Sequence, residues 1–229
     1  MADQQLREAQ KEARAEAAPF VLLTAGVLVL MGFLSLWLRW DVLGRNLWWV
    51  WLVLAVPELL TALALLPRAG RGKSEQRRRR LVIGLIATVI VGSLVGLALM
   101  VASLVRYGGA LSGAQLLASA AALLLTNVVA FALAFWELDC GGPVARAHLR
   151  RRQSPDFQFP QDENPQLAGP GWAPQLLDYA YLSLTNSIAF SPTDAMPLSR
   201  RAKALMAVES ALSFGTILVV AARAINILR

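Results

Sequence analysis

The sequence predicts an all-α membrane protein: a polytopic helix bundle of five to six crossings, with a pore-like helix and turn, re-entrant on one of two routes, ahead of the last helix. Three observations predict it. Hydrophobic residues fill 56% of the 229 positions and charged residues only 16%. The apolar residues come in long uninterrupted blocks, whereas a soluble chain breaks them into amphipathic stretches. Several blocks reach the roughly eighteen residues needed to span a hydrocarbon core of about 30 Å.

The net charge of +7 does not point to nucleic acid. The basic residues flank the apolar runs, where the positive-inside rule places them, and no basic domain stands apart from the membrane segments. Cys140 is the only cysteine, so no intramolecular disulfide forms, and His148 is the only histidine, placed in a basic loop and read as solvated. A metal site needs several ligands, and neither a metal nor a cofactor is expected. The first eighteen residues are polar, without the apolar core of a cleavable leader. The first apolar run is therefore read as an uncleaved anchor in the plasma membrane, with the N-terminus cytoplasmic.

Residues 1–18, MADQQLREAQKEARAEAA, are good helix formers without an apolar face, and read as a polar cytoplasmic helix. Residues 19–137 read as a four-helix transmembrane bundle. Its first span is Pro19–Leu38. Trp37, Trp40, Trp48, Trp49 and Trp51 surround the connection to the second and read as an interfacial belt. The second span, Leu47–Leu66, contains Pro57 and Glu58. A carboxyl inside a span is by default a functional candidate; the alternative is a protonated Glu58 hydrogen-bonded to a neighbouring helix. Pro67–Arg80 carries seven Lys or Arg. It reads as cytoplasmic, with Arg77, Arg78, Arg79 and Arg80 as candidate contacts for anionic lipid headgroups.

The third span, Leu81–Val105, sets Gly84, Thr88, Gly92 and Gly96 four residues apart, a seam for close helix packing within or between subunits. The fourth, Gly113–Trp136, holds Thr126 and Asn127, read as interhelical hydrogen-bonding residues. Residues 138–175 form a polar linker that starts basic and contains five prolines between Pro155 and Pro174. Extended or disordered backbone is expected there rather than a folded domain.

Residues 176–229 carry the chemistry. Thr185, Asn186, Ser187, Ser191, Thr193 and Asp194 fall within ten positions, ahead of the last apolar run. Irregular polar backbone at membrane depth is tolerated only where protein buries it or water lines it, so this stretch is the candidate pore or ion site. Thr185, Asn186, Ser191, Thr193 and Asp194 are its candidate residues, with Glu58 and Glu209 along the route. Either 172–192 crosses fully, giving six crossings, or 176–199 dips in and returns, giving five. The distribution of Lys and Arg fits both routes; six crossings with both termini inside is favoured slightly. On the last helix Glu209, Ser213, Thr216 and Arg223 share roughly one face. Glu209 and Arg223 lie about 21 Å apart along it and cannot pair, so Glu58 sharing a proton or cation with Glu209 is a further expectation.

The run YLSLTNSIAFSPTDAMPLSRRAKALMAVESALSFGTILVVAARAIN resembles the pore-loop module of two-helix potassium channels. The resemblance aligns Thr185 with the end of the pore helix, Asp194 with the aspartate closing the filter, Pro197 and Ser199 with its exit, and Gly215 with the inner-helix glycine. Phe190-Ser191-Pro192-Thr193 stands where that family has its Gly-Tyr-Gly filter, so potassium selectivity is not implied. The whole chain is more similar to uncharacterised multi-pass integral membrane proteins of bacteria, of actinobacteria especially, a resemblance that implies no activity.

Two functions follow. One is a channel or transporter for a small inorganic ion, built as a homo-oligomer because a single pore loop needs symmetry mates around an axis. The other is a non-transporting scaffold or accessory subunit. An enzyme is not expected, since the chain has no HExxH, no GxSxG and no cofactor loop.

Overall fold

The structure is a computed structural model that describes residues 2–40, 48–65, 73–107, 112–143, 145–146, 154–166, 168–169, 172–189 and 195–227. It is all-α, with helices α1 (Ala2–Trp37), α2 (Trp49–Leu65), α3 (Lys73–Tyr107) and α4 (Gly113–Leu138). The short α5 (Pro160–Glu163), then α6 (Leu176–Ala189) and α7 (Arg200–Ile227), complete it. Among the described residues four helices are long and apolar enough to cross a membrane, over Ala15–Trp37, Arg80–Arg106, Gly113–Gly141 and Arg200–Ile225, while α2 is apolar over the shorter stretch Trp49–Leu63. These apolar helices make the chain a membrane-embedded protein.

The polar N-terminal stretch and the first span form one helix, and Pro19 lies inside α1 without ending it. Successive helices pack as neighbours, α1 on α2, α2 on α3 and α3 on α4, and α7 closes against α3 and α4. Gly92 and Gly96 account for the close approaches. A Cβ on Gly92 would lie 2.8 Å from a Leu54 methyl of α2, and one on Gly96 would lie 2.8 Å from a Leu123 methyl of α4. Both therefore serve seams within the chain. Trp51 departs from the belt expected of it: it is buried and packs with Met100, Leu116 and Leu123.

The linker departs from expectation further. Asp156, Phe157 and Phe159 are buried, and Phe157–Gln158 (β1) pairs antiparallel with Met196–Pro197 (β2), just before α7. The sequence DFQF alternates polar and aromatic residues with period two, which sends both rings to one side of an extended segment. That side meets Phe135 of α4 and Tyr179 of α6, with ring centroids 5.1 Å apart for Phe135–Phe157 and 5.3 Å for Phe159–Tyr179. Residues 154–163 thus form a strap across the ends of three helices. No separate domain is built from it.

The strap also fixes helix direction. Arg201, at the start of α7, binds Asp156 of the strap, and Tyr179, in the first turn of α6, packs on Phe157 and Phe159. Ser183, Asn186 and Ser187 of α6 all meet Glu209 of α7. Tyr179 to Ser187 and Arg201 to Glu209 are equal steps of about 12 Å along their helices. The two helices therefore run in the same direction from the strap, with α4 antiparallel to both. After α6 ends at Ala189, the chain is back at the strap by Met196.

Candidate functional site

Two polar clusters occupy the α4–α6–α7 junction. The first lies inside the bundle around Glu209, which is fully buried. Ser183 Oγ lies within hydrogen-bond reach of both Glu209 Oε1 and the carbonyl of Val128, the latter at 2.8 Å, and its single proton serves one of them at a time. Ser187 Oγ donates to Oε1 at 3.2 Å, and Asn186 Nδ2 to Oε2 at 2.6 Å. Ser210 Oγ donates to the Asn186 side-chain oxygen at 3.2 Å, and one turn beyond Glu209, Asn127 Nδ2 donates to Ser213 Oγ at 2.9 Å. These residues converge for a periodic reason: positions 179, 183, 186 and 187 share one face of α6, and 209, 213 and 216 one face of α7. The partners of the Glu209 carboxyl are all hydroxyls and an amide. Among the described residues it has no cationic partner.

The second cluster welds the helix ends to the strap. Asp139 Oδ1 accepts the backbone N–H groups of Asp156, at 2.7 Å, and Phe157, at 3.3 Å. Tyr179 Oη donates to Asp139 Oδ2 at 2.5 Å and accepts from Arg146 Nη1 at 2.8 Å. Arg146 is buried, with Nη1 3.5 Å from Asp139 Oδ2 and its guanidinium 5.0 Å from the Tyr179 ring centroid. Arg201 clasps Asp156 with both Nε and Nη2, one to each carboxylate oxygen, the fork geometry that guanidinium groups favour. Directly after α4, Cys140 takes a left-handed backbone with φ 50°, leading into Gly141 and Gly142 at 82° and 100°. That turn puts Asp139 under the strap. At its N-terminus α6 is capped twice: Asp178 accepts from the Gln175 N–H, and Glu16 of α1 from the Leu176 N–H.

The candidate residues separate on this frame. Asn186 and Glu209 are brought together. Thr185 is not part of the cluster; its hydroxyl donates back to Tyr181 O and Leu182 O of its own helix. Ser191, Thr193 and Asp194 lie outside the described residues, as does His148. Arg80 is exposed, and Arg77–Arg79 lie on α3. Glu58 is buried but belongs to the α1–α2 pair, where Thr24 Oγ1 donates to its Oε2 at 2.8 Å and Oε1 has no partner. No hydrogen bond joins Glu58 to Glu209, so they form two separate sites. The apolar cleft lined by Trp51, Leu54, Gly96, Met100, Leu116 and Leu123 holds none of the candidates. Among the described residues no cluster of His, Cys, Asp and Glu could hold a metal ion.

Because Thr24 is the sole hydrogen-bond partner of Glu58 among the described residues, Thr24→Val is expected to destabilise the protein by about 1–3 kcal/mol, the cost of a buried polar group left unpaired. Denaturant titration in detergent micelles would read this. Asp139, Arg146, Asp156, Tyr179 and Arg201 are not among the site residues that the sequence singles out; Tyr179 reads there only as one of the polar residues that make 176–199 a poor lipid-facing helix.

Comparison with protein-family models, with curated proteins and with solved structures gives no match.

Proposed function

We propose that the protein moves a small monovalent cation, such as a proton or sodium ion, across the membrane by way of Glu209. The observation that carries this reading is a fully buried carboxyl whose partners are all neutral. Hydroxyl and amide donors orient a carboxylate without cancelling its charge, and an unbalanced charge at membrane depth is strongly unfavourable. A bound proton or cation supplies the balance. Along α7, Ser213 and Thr216 continue the polar face beyond Glu209, and Asn127 Oδ1 and Thr126 Oγ1 of α4 are buried polar atoms without partners. Together they make a seam along which a cation exchanges one oxygen for the next.

In this reading α6 is re-entrant. Its fourteen residues measure about 21 Å, short of the roughly 30 Å of a hydrocarbon core. Its direction, parallel to α7, brings the chain back to the side it entered from. The protein then has five crossings, α1 to α4 and α7. The strap side, with Arg146, Arg200, Arg201 and Lys203 and the basic start of α3, is cytoplasmic. The order of short helix, polar turn and long helix is that of the pore-loop module the sequence resembles.

One observation favours a non-transporting scaffold: every polar side chain on the buried face of α6 has a hydrogen-bond partner. Flux into liposomes carrying the full chain separates the two readings. The transport reading expects flux of at least one of H⁺, Na⁺ and K⁺ and none of Cl⁻, with Glu209→Gln abolishing it and Asp194→Asn reducing it. Absence of flux for every ion, from protein shown to be folded, would favour the scaffold.

A further inference from the structure

We propose that the strap, residues 154–159, is the cytoplasmic gate of the Glu209 cluster, latched by the Asp156–Arg201 pair; this rests on the transport reading above. Position is the first argument. Phe157 and Phe159 lie on Tyr179, one turn of α6 outside Ser183, and Phe157 also packs on Phe135 of α4. The rings of the strap therefore fill the end of the α4–α6–α7 junction on the side where α6 and α7 begin. A cation approaching Glu209 along that side meets Phe157, Phe159 and Tyr179 first.

The second argument is how the strap is held. Arg146, Asp139 and Tyr179 form a buried network among the end of α4, the turn after it and α6, and the strap enters that network only through two backbone N–H groups. Its own side-chain tie is different in kind. The Arg201 side chain is 57% exposed, while the Asp156 carboxylate it clasps is 4% exposed. A buried carboxylate left without its cation draws water in, so loss of the guanidinium frees the strap. Besides the latch, the strap is held by the two N–H bonds to Asp139, the packing of Phe157 and Phe159, a bridge of two residues per strand and one bond from the Leu198 N–H to Asp156 O. The latch is the tie that reaches solvent, through Arg201, and it joins the strap to the first turn of α7, the helix that carries Glu209.

The register of the bridge supplies the test. Gln158 and Met196 are Cα partners, and antiparallel partners lie about 4.5–5.5 Å apart, within disulfide range. In full-length protein in liposomes, Gln158→Cys with Met196→Cys in a Cys140→Ser background locks the strap when oxidised. Cation flux is expected to fall at least about tenfold on oxidation and to return with reductant, since a disulfide removes the opening. Equal flux from the oxidised and reduced forms would overturn the gate. In a separate arm, Arg201→Gln leaves native Cys140 as the reporter, since it is buried at this end of the bundle. Its modification by a membrane-impermeant maleimide, and the cation flux, are both expected to rise about fivefold on loss of the pair, which leaves the buried Asp156 carboxylate without its cation. Unchanged modification would overturn the latch. Faster modification with no flux from either wild type or variant would instead sink the transport reading, and the gate with it, in a pattern distinct from both.

Discussion

Replacing Asp139 by alanine is expected to destabilise the protein by about 3–5 kcal/mol, the range for removing one partner of a buried ion pair. Four donors lose an acceptor together, the Asp156 and Phe157 N–H groups, the Tyr179 hydroxyl and the Cys140 thiol, while Arg146 Nη1 loses its carboxylate and keeps Tyr179 Oη and the Trp136 and Asp139 carbonyls. Arg146 is the costly one. It is buried, and Asp139 is the only carboxylate it pairs with among the described residues, so the substitution leaves a cation in the interior beside the Tyr179 ring. Tyr179→Phe removes one hydroxyl and keeps the ion pair, so about 1–3 kcal/mol is expected. Denaturant titration of the purified protein in detergent measures all of these. Asp139→Ala costing no more than Tyr179→Phe would mean that Arg146 finds water in place of its partner.

Phe157→Ala is expected to act locally, with a comparable magnitude. Truncating a buried phenylalanine costs about 3–5 kcal/mol in lost contacts and cavity. Here the cost falls on docking of the strap, because the helices keep their own contacts and only residues 154–163 lose their anchor. A loss confined to one segment shows as local opening rather than as a shift of the global transition. Hydrogen exchange at the Asp156 and Phe157 amides should accelerate by about two orders of magnitude or more, as such an energy implies, while amides in the middle of α4 keep their protection. Uniform acceleration would show that the strap and the bundle unfold as one unit.

Much of this architecture is legible in the sequence because membrane helices are written in long apolar runs, and α1, α3, α4 and α7 follow those runs closely. Glu209 and Asn186 are legible for the related reason that a polar residue in such a run needs a partner. What periodicity does not carry is which partner. Glu58 and Glu209 look alike as intramembrane carboxyls, yet Thr24 takes one and Ser183, Asn186 and Ser187 take the other. Thr185 illustrates the same limit: it sits beside Asn186 in sequence but points to its own helix backbone, because adjacent positions on a helix face different ways. The strap was hidden for another reason. Prolines and charges around Phe157 and Phe159 lower the mean hydropathy of the segment, and only the alternation in DFQF betrays a buried side. Asp139 and Arg146 look like ordinary residues at the end of a span until Tyr179 is placed against them.

During synthesis α6 leaves the ribosome before Glu209 does. Ser183 then has only the Val128 carbonyl of α4, Asn186 and Ser187 lack the Glu209 carboxyl, and a helix of this length with two bare polar groups gains little by entering lipid. Stable seating of α6 therefore awaits α7, whose arrival supplies Glu209 at depth and Arg201 at the rim. Assembly of this half of the protein is consequently a late, concerted event: a chain stopped before residue 200 would present four finished helices, an α6 held by α4 alone, and a strap fastened to the end of α4 but not to α7.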